Sequence, residues 1–246
     1  MHCLAKRGFS ADELLCLNPR LVYCAVSGFG ADSAYPGRAA FDTVIQAMSG
    51  IMDLTRVGEV PVKTGISCAD IIGAQMAVAA VLGALEVRDR FGIGQAIDLS
   101  MQDCTAWVTM PLWGKSRAAA QPTILRANDG FVVVAPVDAE GACELPTDAT
   151  SSPHMTRTEL AAALMARGQR AAPVLSAREM LDADQTRARH LVLTRQDADG
   201  ENWPLLASPL ALRGTPPRVR RPVPALDSSS TEIRTELRKS PSKIGS

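Results

Sequence analysis

TGISCADIIGAQMAVAAVLGAL (residues 64–85) carries one formal charge, the carboxylate of Asp70. Behind it the chain turns apolar and stays so, with Ala or Gly at 73, 74, 77, 79, 80, 83 and 84. That pattern predicts a helix of roughly five turns headed by Asp70 and ending near Asp89 or Arg90. Its small residues suit close contact with other backbone, and apolar residues on every face predict burial all round. An ionised carboxylate is costly to take out of water unless it is paired or hydrogen-bonded, so Asp70 asks for a reason. It can serve as the helix N-cap. It can equally serve as a nucleophile, held at a helix start beside glycine.

Working outward, RLVYCAVS (residues 20–27) is dense in β-branched and aromatic residues and reads as a buried strand, ended by Gly28-Phe29-Gly30. Ser10 caps a short helix over 11–17, which Asn18-Pro19 breaks. Pro36-Gly37 marks a loop, 39–48 a helix closed by Ser49-Gly50, and 57–62 a loop or short edge segment. On the other side, Gly92–Gly94 turns into the alternating QAIDLSM (residues 95–101), followed by a helix over 102–113. Asn128-Asp129-Gly130 turns into a strand over 131–136, and 139–153 reads as a linker. The capping-box pattern Thr156-x-x-Glu159 opens an amphipathic helix over 156–168. Further helix is expected over 177–182 and 184–189, and a hairpin between 192–197 and 203–206. From Gly214 onward Pro, Arg and Ser predict an extended strap and a frayed tail. The basic cluster 218–221 reads as a solvated extended segment, since no aromatic residues accompany it.

The 246 residues can bury a real core. Lys+Arg and Asp+Glu balance at 26 each, and only 4% of residues are aromatic, which argues against nucleic-acid recognition. The six cysteines and three histidines show no metal-ligand spacing, so no metal is expected and the thiols suit a reducing compartment. The start MHCLAKRGFS has no apolar core of a signal peptide. Residues 71–85 are too few to span a bilayer and include Gln75, so no membrane is expected and the protein reads as cytoplasmic. Ser33 stands where a dinucleotide-binding glycine would, and no GxSxG, P-loop or HExxH is present. Cys68 has no basic partner nearby in sequence and reads as packing.

Four ordered motifs carry a resemblance: NPRLVYCAVSGFG (18–30), AAFDTVIQAMSG (39–50), PVKTGISCADIIGAQMA (61–77) and GIGQAIDLSMQD (92–103). Together they resemble the family III CoA-transferases, which include carnitine and formyl-CoA transferases and have α-methylacyl-CoA racemase as a close relative. The C-terminal helical stretch and SPLALRGTPPRVRRPVPALD look similar too. The resemblance implies an α/β fold: an incomplete Rossmann-like large domain with a reduced smaller α+β domain. The expected partition is 1–127 for the central large domain with the nucleophile helix, 128–190 for the small domain, and 191–246 for a return segment and tail. Family members begin with a βα portion of roughly a hundred residues that would precede Met1.

In that family an aspartate at the place of Asp70 is the nucleophile, which implies covalent transfer of coenzyme A from an acyl-CoA thioester to a carboxylic acid acceptor. Phe41 and Asp42 match a pair lining the active-site cleft, and Met101 a residue near bound CoA. Packing remains an alternative for Phe41 and Met101. Arg38 is a candidate phosphate or carboxylate partner, or a solvated surface residue. The racemase branch has a histidine at the place of Phe41, and phenylalanine cannot exchange an α-proton. Three readings follow: a CoA-transferase acting as a homodimer or with a complementing subunit, a non-catalytic remnant or half-subunit, and, disfavoured by Phe41, an acyl-CoA racemase.

Overall fold

The computed structural model describes residues 5–113, 122–135, 154–196, 200, 202–218 and 226–239. The chain divides into two units between Gln121 and Pro122. The expected linker over 139–153 lies outside the described residues.

The first unit opens with α1 (Ala11–Leu17), where Ser10 and Glu13 exchange hydrogen bonds as a capping box. After β1 (Val22–Ser27), α2 (Asp42–Met48) begins three residues later than its pattern predicts. Phe41 is still extended at φ −108°, ψ 165°. The backbone of Gly28 lies so close to Ala40 that a Cβ on it would stand 2.1 Å from the Ala40 Cβ, which holds this approach to glycine. A single turn, α3 (Ile51–Leu54), leads to a small antiparallel hairpin of β2 (Arg56–Val57) and β3 (Val60–Pro61). Then come α4 (Cys68–Phe91), closed by Gly92 in the left-handed region at φ +75°, β4 (Gln95–Ser100), and α5 (Met101–Thr109) with a 3-10 turn at Met110–Leu112.

β1 and β4 pair in parallel from Val22↔Gln95 to Ser27↔Ser100, and α4 packs against both strands and against α2 and α5. This is the strand–helix–strand arrangement that a parallel pair requires, since a tight turn cannot join parallel strands.

The 24 residues of α4 span ~36 Å and correct two expectations. Burial all round does not hold. Only Ala69, Gly73 and Ala84 are buried, while Ile71, Val78 and Leu82 line an exposed stripe at i, i+7 and i+11. The described neighbours meet one face of the helix, and apolar composition says nothing about what covers the other. Nor is the segment too short for a bilayer: the helix Cys68–Phe91 is long and apolar enough to cross one by length and composition. Its packing on a sheet and two helices is that of an α/β layer helix.

In the second unit, β5 (Thr123–Ala127), β6 (Gly130–Ala135) and, beyond α6 (Arg157–Ala166), β7 (Arg170–Pro173) form an antiparallel sheet with β6 in the middle. β5 pairs with β6 along its length, so the division between the units precedes β5. Leu125, Val132, Val134 and Ala171 of the sheet meet Leu160, Ala161 and Leu164 of α6 in one apolar cluster. Thr156 and Glu159 form the expected capping box. The short helices α7 (Ala177–Leu181) and α8 (Asp184–Ala188) precede the antiparallel hairpin of β8 (Val192–Gln196) and β9 (Asn202–Leu206). The expected frayed, extended tail is corrected at its end by α9 (Ser230–Lys239). Glu232 in its first turn and Arg238 and Lys239 in its last complement the helix dipole, and the Thr235 hydroxyl donates to the Thr231 carbonyl.

Candidate active site

Asp70 is not the N-cap of α4. Ser67 holds that position without a side-chain cap, and Asp70 is the third helical residue. The capping comes from 27 residues upstream: the Asp42 carboxylate accepts the Ala69 N–H at 2.9 Å. Ile71 N–H meets the Ser67 carbonyl at 3.1 Å and begins the helical ladder. A helix start leaves its first N–H groups without intrahelical partners. Asp42 takes that of Ala69; those of Cys68 and Asp70 have no acceptor among the described residues. The Asp70 side chain is exposed in the first turn, where the helix dipole favours a carboxylate.

Gly73, one turn beyond Asp70, fixes where this turn stands. A Cβ there would lie 3.1 Å from Met101 Cγ, so α4 and the residue directly after β4 pack at their closest approach. The first turn of α4 therefore lies at the carboxyl end of β1 and β4, the edge at which open α/β sheets bind ligands.

Beneath that turn lies a saturated polar network. Asp42 is 6% exposed. Its carboxylate receives the Ala69 N–H, the Gln46 amide at 2.8 Å and the Lys63 ammonium at 3.0 Å. Burial alone would raise its pKa; Lys63, the Ala69 N–H and the Gln46 amide override that and hold the carboxyl below its ordinary value. Gln46, fully buried, also donates to the Ile66 carbonyl at 3.1 Å and accepts the Thr64 N–H at 3.0 Å. The Thr64 hydroxyl bridges to the Ile66 carbonyl at 2.9 Å. Residues 63–69, the approach to Asp70, are thus pinned from α2.

Of the residues expected at the site, Asp42, Asp70 and Met101 converge on the start of α4. Asp42 does so as a buried support under the helix. Phe41, its neighbour, is 77% exposed. Arg38 lies in the β1–α2 loop with its guanidinium 5.2 Å from the Tyr35 ring centre and 5.8 Å from that of Phe29. It makes no ion pair among the described residues. That loop is tied to the strand ends by Gly30 N–H to Ser27 Oγ at 2.9 Å and Ala31 N–H to Asp98 Oδ2 at 2.8 Å. Gln46, Lys63 and Thr64 were missed by sequence reasoning. The available signal was Asp42 and Gln46 at i and i+4 with a lysine just ahead of the next helix.

A parallel-strand α/β unit with an exposed carboxylate in the first turn of a helix at its carboxyl edge places that carboxylate where ligands of open α/β sheets bind. The model of CoA-transferase family III matches residues 1–140 and 149–230, and the chain belongs to that family. It is 28% identical to the succinate–glutarate CoA-transferase of Agrobacterium fabrum, over 95% of this chain and 70% of that protein. It is likewise 28% identical to the acetyl-CoA:oxalate CoA-transferase of Acetobacter aceti, over 94% of this chain and 70% of the relative. A crystal structure of a CAIB/BAIF family protein from Brucella suis superposes with a TM-score of 0.78 at 26% identity, covering 96% of this chain and 73% of the other. The protein is a CoA-transferase, a class whose substrates are a CoA thioester and a carboxylate.

Proposed function

We propose that the chain transfers coenzyme A between an acyl-CoA and a carboxylic acid through a covalent intermediate on Asp70. The observation that carries this reading is the exposed carboxylate in the first turn of α4, with the two N–H groups of Cys68 and Asp70 left without acceptors among the described residues beside it. The carboxylate attacks the thioester carbonyl, forming a mixed anhydride and releasing CoA thiolate. The thiolate then attacks the aspartyl carbonyl of the anhydride, giving an aspartyl-CoA thioester and the free donor acid. The acceptor carboxylate attacks that thioester, regenerating a mixed anhydride and CoA thiolate. Attack of the thiolate on the acceptor's carbonyl forms the new acyl-CoA and returns Asp70 as a carboxylate. Each step develops an oxyanion, and N–H donors at a helix start stabilise such charge.

Arg38, Phe41 and Met101 are proposed to contact CoA or the acyl groups, and Asp42 to act through the placement of α4. The enzyme is proposed to work in the cytoplasm as a homodimer or with a complementing subunit. The exposed stripe Ile71, Val78 and Leu82 supports the latter, since such a face is ordinarily covered. The test is incubation with an acyl-CoA followed by hydroxylamine, which converts an aspartyl thioester or anhydride to the hydroxamate. Mass spectrometry should find the hydroxamate at Asp70 and none in Asp70→Asn. Absence of any adduct at Asp70 in an active preparation overturns the covalent reading.

A further inference from the structure

The second unit gathers like charges that nothing described offsets. Arg189 just after α8, Arg195 on β8, and Arg213 and Arg218 from the extended segment beyond β9 line one open groove of about 730 Å³, with His190 between the first two in sequence. Among the described residues the lining contains no Asp or Glu. None of the four guanidinium groups is in an ion pair among the described residues. Leu193, Leu210 and Pro216 supply apolar wall between them. Cations that line one groove repel one another, and that repulsion is relieved when an anion sits among them. Each guanidinium presents a planar fork of donors that matches phosphate oxygens two at a time. A lone carboxylate needs one such fork; four suit several phosphate oxygens. The volume lies within the range of small-molecule sites, roughly 300–1,000 Å³, and the apolar wall suits a planar or apolar body attached to the phosphates.

We propose that this groove binds a phosphate-bearing organic anion of nucleotide size, held by Arg189, Arg195, Arg213 and Arg218. The basic cluster 218–221, which reads from sequence as merely solvated, contributes Arg218 to the site. The proposal does not rest on the transferase reading, because every residue it uses belongs to the second unit and Asp70 to the first.

The test is calorimetric titration of the whole chain with ADP as probe, at low salt. Wild type should bind saturably, and the double variant Arg195→Glu with Arg213→Glu should bind at least ~10-fold more weakly, as loss of charge-assisted bonds requires. Pyrophosphate should bind more weakly than ADP, because it lacks a body for the apolar wall. Four outcomes overturn the proposal: no saturable binding of ADP in the millimolar range, equal binding by the double variant, pyrophosphate matching ADP, or displacement of ADP by polyglutamate at lower concentration than by ATP. The last would assign the groove to an acidic protein segment. Should the double variant fail to fold by circular dichroism, hydrogen exchange of wild type decides: ADP must protect amides within 189–195 and 207–218, and protection elsewhere alone overturns the site.

Discussion

Leu125, Val132, Val134, Leu160 and Leu164 fill the interior of the second unit, and its ion pairs among Asp129, Arg157 and Glu179 lie toward the surface. In the first unit Gln46 and Thr105 are as deeply buried as Ile45, Asp42 is nearly so, and Phe41, Ile71, Val78 and Leu82 face outward. An interior of the second kind contributes little net apolar burial and demands that every donor and acceptor be matched. What it provides is placement: five of its hydrogen bonds end on the loop ahead of Asp70 or on the first turn of α4. The second unit is built for stability, and the first for holding one helix start in position.

Asp70→Asn puts this contrast under the largest strain. Transfer activity should fall about a thousandfold or more, as loss of a nucleophile implies, while the melting temperature stays close to wild type because the side chain is exposed. Leu164→Ala should do the reverse. Removing this buried side chain from the apolar cluster should cost about 3 kcal/mol in denaturant unfolding, with hydroxamate formation at Asp70 unchanged below the transition. A loss of Asp70 labelling in that variant would break the division of roles.

Asp42→Ala should show both effects at once. It strips an acceptor from Lys63, Gln46 and the Ala69 N–H and should cost about 2 kcal/mol of stability. It should also lower kcat more than it raises KM, and Asp42→Asn, which keeps an acceptor for the Ala69 N–H, should recover part of kcat.

Acid should reach both units, through different groups. Arg157, followed by the Ser176 backbone and hydroxyl, lowers the Glu179 carboxyl to about 2 from an ordinary 4.5. Its folded value is the lower one, so its stabilisation is complete above 4.5 and is lost as pH falls from 4.5 toward 2. Thermal melts over that range should show a shallower pH slope in Glu179→Gln. Asp42, also lowered, should lose its contribution as pH falls below its ordinary 3.8. Smallest in stability is the stripe on α4. Ile71→Ser, Val78→Ser and Leu82→Ser should each change the stability of the free chain by no more than about 0.5 kcal/mol. Sedimentation would report the lost association if that face is covered in solution.

Features decided by neighbours in sequence were legible from it. The N-cap at Ser10, the capping box at Thr156, the hairpin of β8 and β9, and the strands β1 and β4 rest on local periodicity and on polar side chains returning to backbone three residues away. Asp70 is singled out as the proposed nucleophile because four motifs stand in order around it. The role of Asp42 was not legible, because its decisive bond spans 27 residues. Nor was the exposure of α4: the apolar composition of AVAAVLGAL is the same whether or not another surface covers it. β5 escaped notice because TILRA does not alternate, and its register comes from the ladder with Gly130–Val134. The four arginines of the groove are scattered from 189 to 218, too widely for any spacing rule to join them.

β1 and β4 end at the same level, on the register pair Ser27 and Ser100, and each serine hydroxyl accepts a backbone N–H three residues further on, from Gly30 and Asp103. Each strand therefore closes with its own local stop. Such a stop insulates the strand from the loop or helix attached to its end. The loop between β1 and α2 can therefore change in length without sliding one strand along the other.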